Sequence, residues 1–107
     1  MVEPKIIAVD FDNTLFETHF PEILEPKRNV IEFCKRRQEA GDIIILWTCR
    51  GDMDLLDATR ACEKYGLTFD YVNRNADSHL AKFNNADCRK IFADVYIDDK
   101  CLRPEEI

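Results

Sequence analysis

Residues 6 to 15 read IIAVDFDNTL, an apolar run that ends in two aspartates, Asp10 and Asp12, separated by Phe11. The segment from Lys5 to Phe11 is short and β-branched, which predicts a strand rather than a helix. A strand with apolar groups on both faces belongs inside a parallel sheet. Two charges at its carboxyl end therefore need a reason, and the remainder of the chain supplies the context.

Three further runs have strand character. Asp42 to Thr48 (DIIILWT) is apolar at every internal position, Leu67 to Val72 (LTFDYV) alternates, and Ala93 to Asp98 (ADVYID) runs into the acidic pair Asp98 and Asp99. Between them lie helical patterns. Val30, Ile31, Phe33 and Cys34 share one side of a helix beginning near Pro26 and stopping at AGD, with Gly41 as the terminator. Leu55, Leu56, Thr59 and Cys62 recur at helical spacing, Asp52 and Asp54 sit where a helix amino terminus favours acids, and Gly66 closes the segment. The polar stretch 73–89 holds a short helix around Ser78 to Asn84.

Strand and helix alternate throughout, which predicts an α/β fold: a three-layer α/β/α Rossmann-like sheet of about four parallel strands joined by right-handed crossovers. Residues 1–107 form a single domain of ordinary size. In such sheets the functional crevice lies beyond the carboxyl ends of the strands. Asp10 and Asp12, Thr48, and Asp98 with Asp99 all fall there. Four carboxylates at one edge repel one another unless a cation is shared, and hard oxygen donors suit Mg²⁺ better than Zn²⁺.

Composition narrows the classes. With 46% hydrophobic and 34% charged residues the chain reads as a globular protein without low-complexity segments. Its longest apolar run, Ile43 to Trp47, is five residues against the roughly 20 that cross a bilayer, so no membrane span is expected. The opening MVEPKII has no apolar core of a secretory signal, and a cytoplasmic location is expected. Fifteen basic against twenty-one acidic residues give a net charge of -6, which argues against nucleic-acid binding. The same charge repels an anionic substrate unless a metal or a local cation intervenes. Five cysteines, none closer together than thirteen residues, fit neither a disulfide framework nor a CxxC zinc site and are expected reduced and mostly packed.

Taken together, VDFDNTL, IIILWT ending in Thr48, and VYIDD ending in Asp98 and Asp99 resemble three motifs of the haloacid dehalogenase superfamily of phosphohydrolases. The similarity runs from Ile6 to Asp99, nearly the whole chain. It implies a Mg²⁺-dependent phosphatase that hydrolyses a phosphate monoester through an aspartyl-phosphate. Asp10 would be the nucleophile and Asp12 the general acid and base, its main-chain carbonyl also on the metal. Thr48 would bind a phosphoryl oxygen, and Asp98 would hold Mg²⁺ with Asp99 bound directly or through water. The superfamily's remaining motif is a cation upstream of the fourth strand. Lys90, in RKIFADVYIDD, matches the spacing of small members, with Lys82 as the second choice.

An acid at the second motif position points to phosphate esters rather than carbon–halogen bonds. A phosphotransferase using the same residues is one alternative; a receiver-type module fails on motif order, and a non-catalytic, phosphate- and Mg²⁺-binding relative of the hydrolases is the other, with the intact Asp10, Asp12, Thr48 and Asp98 counting against it. Only eleven residues separate Thr14 from Pro26, room for a turn and a small flap but no cap domain. An uncapped site is open to a large or exposed phosphate ester, or is covered by a neighbouring subunit, and one sheet edge is expected bare or buried in a homo-oligomer. Specificity then falls to short loops, with Asn13, Arg50 and Lys82 as candidate substrate-binding residues; Arg50 could alternatively pair with Asp52 or Asp54. Phe11 and Trp47 are expected to pack in the core, and His19 to lie on the surface.

Overall fold

The computed structural model describes residues 3–107. Four strands form a parallel sheet: β1 (Ile6–Val9), β4 (Ile43–Leu46), β5 (Tyr71–Val72) and β6 (Val95–Ile97), in the spatial order β5-β4-β1-β6. Two short strands, β2 (Phe16–His19) and β3 (Glu22–Pro26), pair antiparallel as a separate hairpin. That hairpin is the flap for which the residues between Thr14 and Pro26 left room. Among the described residues there are three α-helices, α1 (Arg28–Glu39), α2 (Asp52–Glu63) and α3 (Asp77–Lys82), and a short 3-10 turn at Pro104–Glu106.

Side chains alternate across a strand, so successive residues of β1 and β4 feed two different cores. Ile7, Val9, Ile44 and Leu46 face one layer, where they meet Ile31 and Cys34 of α1 and Ala58 and Cys62 of α2. Ile6, Ala8 and Ile45 face the other, which is closed by Ala76, Ile91 and Ala93. The three-layer α/β arrangement holds, with unequal outer layers. Helices α1 and α2 lie together on one face, whereas α3 buries none of its own residues and the connector leading to β6 does most of the covering.

A single polar side chain organises that connector. Asn75, almost fully buried, accepts the Phe92 N–H through its side-chain oxygen at 2.7 Å, while its amide donates to Asp87 at 2.9 Å and to the Cys88 carbonyl. A buried amide that reaches three partners replaces the regular ladder that this irregular segment lacks. Asn75→Ala leaves the Phe92 N–H without an acceptor. We expect it to lower stability by about 2 kcal/mol, a fall in melting temperature of roughly 10 °C, measurable by calorimetry.

The third strand is shorter than its alternation predicts. Only Tyr71 and Val72 pair with β4, because the Asp70 carboxylate accepts the Ile44 N–H at 2.8 Å and so occupies the place of the next ladder bond. Leu67 is buried beneath α2 instead of lying in the sheet. The cysteines also divide differently from the expectation: all five are free, but only Cys34 and Cys62 are packed, while Cys49, Cys88 and Cys101 are exposed. Among the described residues no helix is long and apolar enough to cross a membrane.

The strand order decides where chemistry can occur. From β1 the chain moves outward through β4 to β5, then returns to the other side of β1 for β6. The carboxyl end of β1 is therefore the switch point, flanked by the ends of β4 and β6. Val9 is in register with Leu46 on one side and Ile97 on the other, which sets Asp10 level with Trp47 and Asp98.

Candidate functional site

Asp10 follows β1 directly, its N–H bonded to the Ile97 carbonyl at 2.9 Å. Its carboxylate lies among those of Asp98 and Asp99, with ligand atoms of all three within 4.8 Å of one another. Burial, reinforced by the negative charges of Asp98 and Asp99, pushes the Asp10 carboxyl up to about 6, although the Phe11 N–H and Thr14 hydroxyl partly counter the rise. Thr14 is buried and carries the geometry of this cluster. Its hydroxyl donates to Asp10 at 3.3 Å and accepts the Asp99 N–H at 3.2 Å, so one side chain ties the first strand's loop to the fourth's. Sequence reasoning gave Thr14 no role, although its place two residues after Asp12 in the motif marks it.

Asp12 turns away from this cluster. Its carboxylate receives Arg50 in a bidentate grip, Nη2 to Oδ1 at 2.8 Å and Nε to Oδ2 at 3.0 Å. Burial alone would raise the Asp12 carboxyl, but hydrogen bonds from Arg50 and from the Thr18 side chain outweigh it and hold the carboxyl below its usual value. The expectation that Arg50 reaches a substrate anion is corrected here. Its side chain is 1% exposed and already engaged by Asp12, by the Pro21 carbonyl at 3.1 Å and by the Asp54 carbonyl at 3.4 Å. It pairs with neither the Asp52 nor the Asp54 carboxylate, the other outcome that its position allowed.

Thr48, beyond the end of β4, uses its hydroxyl to accept the Arg50 N–H at 3.1 Å, and its backbone N–H and C=O are both taken by the Asn73 side chain, at 2.8 and 2.9 Å. Asn73, in the left-handed region at φ 53°, thus braces the loop of β4 against the end of β5. An open cleft of about 250 Å³ lies between these ends, lined by Asp10, Trp47, Thr48, Cys49 and Asp98. Trp47 is only half-buried. It stands past the last paired residue of β4, packs against Tyr96 with the rings tilted and 5.6 Å apart, and contributes a wall of this cleft as well as packing on the core.

Neither predicted lysine reaches the acidic cluster. Lys82, at the end of α3, is paired to Glu3 at 2.9 Å and lines a cleft with Lys5 and Ile6, at the amino end of β1 and thus the wrong end of the sheet. Lys90 lines a further cleft with Asn75, His79 and Lys82, which shares no residue with the cleft at Asp10. Spacing from the acidic pair misled here because residues 83–94 are irregular, and no helical period sets the direction of side chains along them. Lys100 is the cation at the cluster. Its ammonium lies 3.3 Å from Asp99, and that hydrogen bond, with the neighbouring carboxylates, raises its pKa. The signal was adjacency, since Lys100 follows the acidic pair directly.

At φ 57° Asn13 forms the left-handed turn out of β1, and its side-chain oxygen accepts the Thr18 N–H at 3.1 Å. Asparagine tolerates this conformation better than most residues, so it shapes the root of the flap. Phe11 meets the expectation: it is fully buried and stacks on Phe16 at 5.3 Å. His19 ends β2 on the surface.

The donor set at Asp10, Asp98 and Asp99 is all carboxylate oxygen, held by the two loops that follow β1 and β6 at one sheet edge, with Lys100 beside Asp99. Such a set fits a hard divalent cation and gives nothing to a soft one.

No family model matches the chain, and no curated protein matches it. A solved structure, that of a conserved protein coded by a locus of Bacteroides thetaiotaomicron, is similar at 33% sequence identity with a TM-score of 0.79. The match covers 94% of this chain and 79% of that one. At that identity and coverage, this chain belongs to the same protein family as the conserved Bacteroides thetaiotaomicron protein.

Proposed function

We propose that this protein is a Mg²⁺-dependent phosphatase that hydrolyses phosphate monoesters through an aspartyl-phosphate on Asp10. The observation that carries this reading is the position of Asp10. It lies at the switch point of the sheet, facing Asp98 and Asp99 and sharing an open cleft with Thr48. Asp10, Asp98 and Asp99 would hold Mg²⁺ together with the Asp12 main-chain carbonyl, and the ion would neutralise the phosphoryl charge that the acidic chain otherwise repels.

The residues then divide the work. The Asp10 carboxylate attacks phosphorus in line with the leaving oxygen, forming the Asp10–phosphorus bond as the ester bond breaks. Thr14 orients that carboxylate, and the Thr48 side chain, at the wall of the cleft, receives a phosphoryl oxygen. Lys100 adds a positive charge beside Asp99. Asp12, kept ionised by Arg50, is suited to take the proton from the water that breaks the aspartyl-phosphate. To serve the leaving group in the first half, the same carboxyl would have to take up a proton, which its pairing with Arg50 opposes.

With three exposed free cysteines, a reducing cytoplasmic setting fits this reading. The edge strand β6 leaves Val95 and Tyr96 partly uncovered, which is where a second copy would close the sheet.

The test is an assay of purified protein with p-nitrophenyl phosphate and a panel of phosphate esters. Turnover should require Mg²⁺, vanish on chelation and return when the ion is restored, with free phosphate as product. Release of the alcohol with phosphate passed to an added sugar would instead indicate a phosphotransferase. No turnover across the panel, together with no thermal shift from beryllofluoride and Mg²⁺, would overturn the proposal.

A further inference from the structure

We propose that Arg50 is a clasp: a positioning residue that locks the β2–β3 flap and Asp12 into one unit. Its importance for turnover rests on the phosphatase reading; the clasp itself does not.

A buried arginine must have its donors satisfied, and here they are satisfied by three different parts of the chain. Asp12, from the loop after β1, takes the bidentate pair. Pro21, at the tip of the flap, accepts from Nη2 at 3.1 Å. Asp54, in the first turn of α2, accepts from Nη1 at 3.4 Å. The guanidinium is also sandwiched between aromatic rings, with Phe11 of the core at 5.0 Å and Phe20 of the flap at 4.9 Å. Phe20 is otherwise 62% exposed. An aromatic residue so placed gains little from burial, so its visible partner is the charge beneath it.

Apolar packing of Phe16 and Ile23 on the core seats the hairpin, and its other polar anchors are few among the described residues. Asn13 bonds the Thr18 N–H near its start, and Lys27 N–H bonds the Leu15 carbonyl at its base. Both act at the root of the hairpin, whereas among the described residues the polar contact to the tip is that of Arg50, through Pro21 and Phe20. The same guanidinium fixes the rotation of the Asp12 carboxylate. Displacement of the tip and misplacement of Asp12 are therefore one event, and the flap over this capless site is closed by the residue that aims the proposed general base.

Hydrogen exchange of the full-length protein decides the matter without any substrate. In Arg50→Met, the amides of residues 16–26 should exchange about tenfold faster or more, while those of β1 and β4 stay at wild-type rates. Lysine cannot form the planar bidentate grip, so Arg50→Lys should loosen the flap nearly as much. Phe20→Ala removes only an exposed ring and should fold; it is expected to raise flap exchange severalfold. Unchanged flap exchange in Phe20→Ala, or in a folded Arg50→Lys, overturns the clasp.

The kinetic arm uses p-nitrophenyl phosphate. A displaced Asp12 should lower kcat by about 100-fold in Arg50→Lys with KM altered less than about threefold. Added guanidinium ion should recover part of kcat in Arg50→Ala, while urea at the same concentration should not. A fall in KM binding alone, with kcat intact, would remove Arg50 from the positioning of Asp12. If the wild-type protein turns over no phosphate ester, the phosphatase reading fails and the exchange arm still decides the clasp.

Discussion

Asp10→Asn is expected to abolish phosphate-ester turnover and, in the metal-free protein, to raise the melting temperature. The two effects come from one cause. Asp10 is held partly out of water beside Asp98 and Asp99, and its carboxyl titrates near 6 instead of near 3.8. The amide removes a charge that the fold disfavours, so the substitution should stabilise the metal-free protein by about 1 kcal/mol, or roughly 4–8 °C, discounted because the carboxylate remains partly solvated. Loss of the nucleophile should lower turnover by about 10⁴-fold or more.

The pH dependence follows with a definite sign. Between about 4 and 6 the folded protein holds a proton on Asp10 that the unfolded chain has released, so metal-free stability falls as pH rises through that window. Asp12 and Asp99 act oppositely. Their pKa values are depressed by Arg50 and Lys100, and the stability they contribute is lost as pH falls below the usual carboxylate value. In Asp10→Asn the decline between 4 and 6 should flatten. Turnover within tenfold of wild type would place the nucleophile elsewhere, and a lower melting temperature would mean that the acidic cluster is not under repulsion.

Phe11→Ala should cost about 3–5 kcal/mol, a large part of the roughly 5–15 kcal/mol available to a domain. Phe11 is fully buried in the core of β1, α1 and α2, stacks on Phe16 and lies under the Arg50 guanidinium. Truncation opens a cavity at the turn from which Asp10 and Asp12 project, so the site should loosen with the core. Urea denaturation measures the loss, and Phe11→Leu should retain more than half of it. A change under about 1 kcal/mol would show that the surrounding layers collapse into the space.

Much of this architecture is legible in the sequence. The apolar runs at β1 and β4 are long and continuous enough that both faces must be buried, which requires helices or connectors on each side. Asp10, Asp98 and Thr48 each follow such a run, and parallel pairing brings strand ends together whatever their order. The flap was legible as a length, eleven residues too few for a domain.

Other features were out of reach because they depend on long side chains or irregular backbone. Arg50 sits thirty-eight residues from Asp12, and nothing in either local stretch reports the bidentate pair that joins them. Lys90 and Lys100 lie outside regular elements, where neither a period of 3.6 nor of 2 sets direction. Asn75 shows the same limit, since a buried asparagine in a polar segment looks like any loop residue until its three partners are in place.

By itself, then, the sequence determined the parallel α/β sheet and the strand-end carboxylates of IIAVDFDNTL and VYIDD, because periodic burial and strand termini are local properties of the chain. Only the tertiary structure decided that β1 lies between β4 and β6, that Thr14 bridges Asp10 to Asp99, and that Asp12 rather than a substrate anion engages Arg50. Each of these is a contact between segments far apart in the chain, and its geometry is set by how the layers pack.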